Sequence, residues 1–199
     1  MYDRSQEKQK QGGLGPLILM VGPSGSGKDS LLDYARECLK DDPRVLFVRR
    51  CITREKDDPN EDHQSMSLAA FQKAEMAGDF VISWGAHGLR YGLPVSMLDH
   101  LEKGGVAIAN GSRKTIPVLK DRFSNFKVIN LTVEPHILAS RLASRGRETA
   151  EEIEKRLART KSLAREELFG DETVHLDNSG ELATAGKALV ELILSSIDQ

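Results

Sequence analysis

One stretch near the N-terminus constrains the fold of this chain more than any other. The apolar run 17–21 is followed by Gly-Pro-Ser-Gly-Ser-Gly-Lys at 22–28, and an amphipathic segment begins at Leu31. This order predicts a buried strand, a glycine-rich loop and a helix. Glycines let such a loop fold with several backbone N–H groups pointing inward, which makes it a phosphate-binding site. We expect ATP to bind Gly22, Pro23, Ser24, Gly25, Ser26, Gly27, Lys28, Asp29 and Ser30.

The residue after the lysine departs from the usual phosphate-loop pattern. Ser or Thr normally follows Gly-x4-Gly-Lys and holds Mg²⁺, but this chain has Asp29. Many phosphate-loop enzymes also use an acidic residue at the end of a neighbouring strand, where this chain has Asn110. We hypothesise that the carboxylate has moved from the strand end into the loop. Asp29 would then hold Mg²⁺, with Ser30 as the alternative ligand.

Composition narrows the class of protein. The 199 residues suit one domain, and 39% apolar with 29% charged residues is typical of a soluble globular chain. A net charge of −2 gives no global basic field that would attract nucleic acid. No stretch is long enough to span a membrane, and residues 1–15 look like a flexible tail without a signal peptide's apolar core. We predict a cytoplasmic protein without nucleic-acid or membrane partners and leave its oligomeric state open.

Strand-like and helix-like segments alternate from residue 17 to the C-terminus, which predicts a layered α/β domain with a mainly parallel central sheet. The predicted strands are 17–21, 45–48, 80–84, 106–109, 128–133 and 173–176. The predicted helices are 31–40, 68–77, 95–103, 114–123, a helix starting at Pro135, 149–168 and 181–197. Composition indicates a loop at 55–64 and a hairpin or tight loop at 87–94. Cys38 and Cys51 have neither disulfide-framework nor metal-ligand spacing, so we interpret both as core or half-buried.

Helix ends carry recognisable capping signals. Ser67 is expected to begin one helix and Gly78 to end it. Pro135 suits the first position of a helix, and residues 149–152 have the pattern of a capping box. We also expect Asp177-Asn-Ser179 to cap the final helix.

Two groups of arginines could serve a phosphate site. The first is Arg49, Arg50 and Arg54, beyond the second predicted strand, where the ligands of α/β proteins collect. The second is a pair of basic helices, with Arg141 and Arg145 on one and Arg156 and Arg159 on the next. These helices could close over a triphosphate and exclude water. Because glutamates lie alongside them, a surface rich in salt bridges is the alternative.

Several motifs together resemble the guanylate kinase-like family, in order from about residue 17 to residue 197. They are the glycine loop with Lys28, Ile52-Thr-Arg54, Ser83-Trp84, Tyr91-Gly92 and Arg141-Leu-x2-Arg145-Gly. The positions that read guanine in guanylate kinases are changed. Ser83 replaces a glutamate, Leu93 a serine or threonine, Asn110 lies in place of an acidic strand-end motif, and Asp57 replaces a second phosphate-binding arginine. Unpaired polar groups around a buried base are costly, so guanosine monophosphate is not expected as acceptor.

The chain is more similar to one branch of that family, the ribose 1,5-bisphosphate phosphokinases. The shared motifs are Gly-Lys28-Asp29-Ser-Leu-Leu32, Ile52-Thr-Arg54, Glu61-x-His63, Ser83-Trp84, Asn110-Gly-Ser-Arg113 and Arg145-Gly-Arg-Glu148. The resemblance implies a three-layer α/β/α kinase fold in a single domain (16–199), with an acceptor-binding insertion at about 50–94 and an arginine-rich lid at about 141–160. It also implies phosphoryl transfer from ATP to ribose 1,5-bisphosphate, forming 5-phosphoribosyl 1-diphosphate in phosphonate degradation.

Such a reaction needs no general base, because the attacking group is already a phosphate oxygen. We expect Lys28, Arg141, Arg145 and Arg156 to act on the transferring group. Arg50, Arg54 and Tyr91 are expected to bind the phosphates of a small sugar phosphate, and Glu61, Asp62 and His63 its hydroxyls. The alternatives are a guanylate kinase with unusual base contacts or another kinase with a small phosphate acceptor, and a non-catalytic guanylate kinase-like module that binds protein.

Overall fold

The computed structural model describes residues 13–54, 62–144, 150–163 and 173–197. Its strands are β1 (Leu17–Val21), β2 (Val45–Phe47), β3 (Arg50–Ile52), β4 (His63–Ser65), β5 (Phe80–Ala86), β6 (Leu89–Pro94), β7 (Val106–Asn110), β8 (Phe126–Thr132) and β9 (Thr173–Asp177). Its α-helices are α1 (Lys28–Cys38), α2 (Leu68–Ala77), α3 (Leu98–Glu102), α4 (Ile116–Arg122), α5 (Pro135–Ser144), α6 (Ala150–Leu163) and α7 (Leu182–Leu194). Short 3-10 turns precede α3 and α4, at Val95–Met97 and Arg113–Thr115.

Five strands form a central parallel sheet in the order β2-β7-β1-β8-β9. β1 lies in the middle and is buried along its whole length. Because all five strands run the same way, their carboxyl ends meet at one edge. That edge carries the glycine loop after β1, Asn110 at the end of β7 and Asn178 after β9. The parallel three-layer α/β architecture predicted from the sequence is confirmed.

The strand β1 alternates between two hydrophobic cores. Leu17, Leu19 and Val21 belong to the core that also contains residues of α3, α4, β5 and β6. Ile18 and Met20 belong to the opposite core, beneath α1 and α7. Side chains of a strand point to opposite faces in turn, so one five-residue strand supplies both cores.

A second, small sheet lies within residues 50–94 and has the order β4-β3-β6-β5. β5 and β6 form an antiparallel hairpin, β3 is antiparallel to β6, and β4 is parallel to β3. The ring of Phe71 on α2 stacks against that of Phe80 on β5 at 4.6 Å. Trp84 and Leu93 extend into the core that β1 shares. The sheet coincides with the predicted acceptor-binding region, whose role stays a prediction.

The predicted elements agree with the structure in most places. Ser67 accepts a hydrogen bond from the Ala70 N–H at 3.2 Å, and Gly78 ends α2 with a left-handed φ of 80°. Pro135 begins α5 as predicted. Strands β3 and β4 are three residues long and carry charged or polar side chains, so hydrophobic periodicity did not indicate them. β6 lies where the sequence left a hairpin or a tight loop open.

Two expectations were wrong. The helix α7 begins at Leu182, and its N-cap residue Glu181 makes no side-chain cap, so Asp177-Asn-Ser179 does not cap it. That turn contacts other elements instead: Ser179 accepts a hydrogen bond from the Glu134 N–H at 2.8 Å, and Asn178 contacts the glycine loop. Cys38 is exposed on α1, because only one face of that helix packs on the sheet.

Some predictions lie outside the described residues, including residues 1–12 of the expected tail and the far end of the helix predicted at 149–168. Leu14 packs against the core, and the Gly15 N–H donates to the Leu101 carbonyl at 2.8 Å. None of the helices that the structure describes is long and apolar enough to cross a membrane.

Candidate functional site

The phosphate loop, residues 22–30, follows the buried end of β1 and includes the first three residues of α1. Gly27 is the residue before the helix and has a left-handed φ of 87°, while Gly25 has a φ of 89°. A side chain would also be too close to its neighbours at both positions. A Cβ at Gly27 would lie 2.6 Å from Asn178 Nδ2, and one at Gly25 would lie 2.8 Å from Leu142 Cδ2. The loop conformation therefore requires glycine twice.

Two distant residues hold this loop from outside. The carbonyl oxygen of Ser26 accepts hydrogen bonds from Asn178 Nδ2 at 2.8 Å and from Arg141 Nη1 at 3.5 Å. Ser26 is fully buried, and Asn178 is 2% exposed. These contacts fix the peptide group between Ser26 and Gly27. The N–H groups that follow it belong to the start of α1. Sequence reasoning missed Asn178; its place at the end of a parallel strand was the only signal.

Lys28 is the first residue of α1, and its side chain folds back over the loop. Its Nζ donates to the carbonyl oxygens of Gly22 at 2.9 Å and Pro23 at 2.8 Å. The ammonium group is thus held against the backbone of the loop. Phosphate oxygens bound in the loop would offer it stronger acceptors than these carbonyls.

Asp29 and Asn110, which the sequence related only by hypothesis, are in contact. Asn110 Nδ2 donates to Asp29 Oδ1 at 2.7 Å. Asn110 ends β7, is 6% exposed, and its Oδ1 has no hydrogen-bond partner among the described residues. Ser30, the alternative ligand, is exposed on α1. The structure therefore brings the loop carboxylate and the strand-end amide together.

The Asp29 carboxylate and the Asn110 amide suit Mg²⁺ bound together with a nucleotide better than a metal ion held by protein ligands alone. In the part of the chain that the structure describes, no group of three His, Cys, Asp or Glu side chains could hold a metal ion. Mg²⁺ is usually bound by one or two carboxylates together with substrate phosphates and water. One carboxylate beside a phosphate loop matches that requirement, and Asp29 as a Mg²⁺ ligand stays a prediction.

The small sheet contributes an aromatic and cationic wall beside the loop. The guanidinium carbon of Arg50 lies 5.7 Å from the centre of the Tyr91 ring, and Trp84 stacks on Tyr91 at 5.5 Å with an interplanar angle of 10°. Arg50 also lines a pocket with Asp29 and Asn110. Residues predicted for the donor and for the acceptor therefore share one pocket.

Asp62 and His63 are less available than the sequence suggested. Asp62 Oδ1 lies 2.7 Å from Arg49 Nε, and its Oδ2 lies 3.5 Å from Arg36 Nη2 on α1. The carboxylate therefore bridges the phosphate-loop helix and Arg49, the residue directly before β3. His63 is 1% exposed, with Nε2 3.2 Å from Ser65 Oγ. Their assignment to sugar hydroxyls stays a prediction, and that of Glu61 falls outside the described residues.

Ser83, which lies where guanylate kinases have a glutamate that reads the base, is hydrogen-bonded within the protein. Ser83 Oγ donates to the carboxylate of Glu75 on α2, which also pairs with Arg90. Ser83 lies opposite Gly92 in the hairpin, whereas Trp84 lies opposite Tyr91, so Ser83 and Tyr91 belong to opposite faces of the sheet. Leu93 is fully buried. Neither Ser83 nor Leu93 offers a polar group to a base beside Tyr91.

The structure describes part of the predicted lid. Arg141 lies on α5 and contacts the phosphate loop through Ser26. Arg145 lies outside the described residues, and Arg156 is described only as part of the helix α6. Arg54 is half-buried two residues beyond β3. Catalytic roles for all of these arginines stay predictions.

Comparison with curated proteins identifies close relatives. The chain is 46% identical over 181 residues to a ribose 1,5-bisphosphate phosphokinase of Agrobacterium fabrum, covering 90% of this chain and 97% of the relative. It is 44% identical to the enzyme of the same name from Brucella melitensis, covering 88% and 90%, and 42% identical to that of Burkholderia mallei, covering 89% and 94%. The chain belongs to the ribose 1,5-bisphosphate phosphokinase family. The resemblance inferred from the motifs is therefore confirmed.

A solved structure of guanylate kinase from Anaplasma phagocytophilum is similar with a TM-score of 0.63 and 14% identity, covering 94% of this chain and 88% of that one. At such low identity the likeness shows the fold alone. A scan of protein-family models gave no match.

Proposed function

We propose that this protein transfers the γ-phosphoryl group of ATP to the 1-phosphate of α-D-ribose 1,5-bisphosphate. The products are 5-phospho-α-D-ribose 1-diphosphate and ADP, and the step belongs to phosphonate degradation in the cytoplasm. The observation that carries the proposal is the 46% identity to a ribose 1,5-bisphosphate phosphokinase across 90% of this chain. The phosphate loop beside the wall of Arg50 and Tyr91 supports it.

The residues present suit catalysis by positioning and charge neutralisation. Lys28 and the N–H groups at the start of α1 would bind the donor phosphates. Arg141 is already at the loop and would bring positive charge to the transferring group, joined by Arg145 and Arg156 when the lid closes. The acceptor oxygen is ionised in solution, so no side chain has to remove a proton from it.

Bound Mg²⁺ would neutralise part of the charge on the donor phosphates. Asp29 is the residue we propose to hold it. A carboxylate beside a triphosphate is repulsive unless a divalent cation lies between them. Nucleotide binding should therefore depend steeply on Mg²⁺.

The acceptor would lie along the wall of the small sheet. Arg50 can bind a phosphate through two parallel hydrogen bonds, and its contact with Tyr91 limits its orientations. We place Arg54 and Tyr91 at the same phosphates. A guanine base would find no matching polar group at Ser83, whose hydroxyl is bound to Glu75, or at the buried Leu93.

The test is direct detection of product by mass spectrometry. Purified protein is incubated with ATP and Mg²⁺ and with either ribose 1,5-bisphosphate or GMP, and a protein-free sample serves as blank. We expect 5-phosphoribosyl 1-diphosphate to form and GMP to remain. Formation of GDP at comparable efficiency would identify a guanylate kinase instead. Absence of ATP turnover with every acceptor would indicate a non-catalytic module.

A further inference from the structure

The polar contact between Asp29 and Asn110 joins two sequence departures that lie 81 residues apart. One is a carboxylate in a phosphate loop where a hydroxyl is usual, and the other is an amide at a strand end where an acid is usual. Asn110 lies opposite Met20 of β1, directly beside the strand that leads into the loop. The two side chains therefore occupy the two places from which such loops hold their cation.

We infer that Asn110 is a positioning residue that orients the Asp29 carboxylate for Mg²⁺. Positions 29 and 110 then form an exchanged pair, because the acid expected at the strand end lies in the loop and a neutral polar residue lies at the strand end. The inference rests on the proposed ATP-dependent activity and assigns a role to a residue that does not touch the transferring group. In the usual arrangement a loop hydroxyl is combined with a strand-end acid. Here a loop acid is combined with a strand-end amide, so the number of carboxylates is unchanged.

The hydrogen-bond geometry supports this role. The amide Nδ2 donates to one carboxylate oxygen, Oδ1, at 2.7 Å, which leaves Oδ2 of Asp29 as the oxygen that would bind the cation. An asparagine can do this because its amide donates, whereas an aspartate at the same place would repel the carboxylate. The contact also fixes the side chain of Asp29, which is half-buried at the first turn of α1.

A second observation concerns the other end of the amide. Asn110 is 6% exposed, and its Oδ1 is a buried acceptor without a partner among the residues described. Buried polar atoms are nearly always satisfied, by protein or by ordered water. An acceptor beside a Mg²⁺ ligand suits a water molecule of the cation's hydration shell, because Mg²⁺ keeps several of its waters. Both polar ends of Asn110 would then serve the cation site.

The experiment measures the coupling between Mg²⁺ and nucleotide without any phosphoryl transfer. The dissociation constant of ADP is determined by titration calorimetry in EDTA and in saturating Mg²⁺, and the ratio of the two constants is the coupling. For Asn110→Ala we expect a coupling reduced roughly 10- to 100-fold, as for other residues that orient metal ligands. Affinity for ADP in EDTA should change little. Unchanged coupling in Asn110→Ala would overturn the inference.

The exchange itself is tested by a double substitution. Asp29→Ser should lower the coupling and raise ADP affinity in EDTA, because a negative charge beside the phosphates is gone. Adding Asn110→Asp to Asp29→Ser restores the usual hydroxyl-plus-acid arrangement and should recover much of the coupling. A double variant no better than Asp29→Ser would show that the positions are not an exchanged pair.

Asn130→Ala is the matched control, since it removes another buried asparagine amide from β8, the strand on the other side of β1, where Asn130 is 4% exposed. It should lower the melting temperature and leave the coupling unchanged. If Asn110→Ala fails to fold, Asn110→Ser keeps a small polar group and takes its place. The coupling is measured with ADP and Mg²⁺ and without any acceptor, so it does not depend on the acceptor assignment. If the native protein shows the expected coupling but forms no product from ribose 1,5-bisphosphate, the proposed acceptor is wrong and the role of Asn110 stands.

Discussion

The phosphate loop and the small sheet hold their functional residues in different ways. The loop is a contiguous run of residues, and much of what it offers a phosphate is backbone N–H groups. The small sheet offers side chains from separate strands, such as Arg50 and Tyr91, held by an aromatic stack and a cation–π contact. One site is therefore built by local backbone conformation and the other by packing between distant residues.

This difference extends to the contacts that stabilise each region. The loop is fixed mainly by one buried neutral hydrogen bond, from Asn178 to Ser26, with a longer contact from Arg141. The small sheet is joined to α1 by an ion pair in which Asp62 is about one-third exposed and contacts Arg36 and Arg49. Buried hydrogen bonds are insensitive to salt, whereas exposed ion pairs are screened by it. We expect the acceptor side to move relative to a more rigid donor side.

The largest effect is expected on the donor side. Lys28→Met removes the ammonium group that lies over the loop and should lower kcat by roughly 10³, the order of magnitude of losing one transition-state cation. Steady-state kinetics measure the loss, and circular dichroism checks the fold. Lys187→Met, at an exposed position of α7, is the matched control and should keep full activity. A Lys28→Met enzyme within tenfold of the native rate would refute the assigned role.

A smaller and more selective effect is expected on the acceptor side. Arg50→Lys keeps the charge but loses the planar fork and its contact with Tyr91. One lost charged hydrogen bond corresponds to about tenfold in affinity, so the acceptor KM should rise about tenfold while the ATP KM stays the same. Arg44→Lys, near the other end of β2, is the control. An equal rise in both KM values would mean that Arg50 serves the donor as well.

The same difference explains what the sequence could predict. The loop and its helix follow from the spacing of glycines and apolar residues, and Ser67 and Gly78 follow from local capping chemistry. Strands β3 and β4 could not be predicted, because their three residues each are held in place by neighbours far along the chain. Asn178 and Ser26 are 152 residues apart in the sequence, and no periodic pattern predicts their contact.

Asn110 and Asp62 show how far site residues can be predicted. The departure of both Asn110 and Asp29 from the usual pattern suggested that they were related, and the structure places them in contact. For Asp62 the residue type suggested a hydrogen bond to a sugar. The structure gives its carboxylate two arginine partners, which no spacing in the sequence indicates.

Asp62→Asn separates the two interpretations of this carboxylate. If it serves mainly as an ion-pair partner, unfolding free energy should fall by about 0.5 kcal/mol, since partly exposed pairs contribute little, and added salt should abolish the difference. The acceptor KM should change less than in Arg50→Lys. Thermal melting at low and high salt measures the first effect, with Asp121→Asn on α4 as control. A tenfold rise in acceptor KM would instead support the predicted contact with the sugar.

The smallest expected effect is a difference in the alkylation rates of the two cysteines, one of which lies in each region. Cys38 is exposed on the phosphate-loop helix, whereas Cys51 is 4% exposed on β3 of the small sheet. Burial raises the pKa of the Cys51 thiol, against the opposing charge of Arg49, so at any given pH less of it is the reactive thiolate. Iodoacetamide at pH 8 should therefore modify Cys38 first, and raising the pH should accelerate both reactions.

In a Cys38→Ser variant, the remaining modification of Cys51 reports opening of the small sheet, and mass spectrometry measures its rate. We expect ribose 1,5-bisphosphate to slow this reaction more than ADP does, because the acceptor would bind the sheet itself. Equal slowing by both ligands would show that the two regions open together, and the contrast between a rigid donor side and a mobile acceptor side would then be wrong.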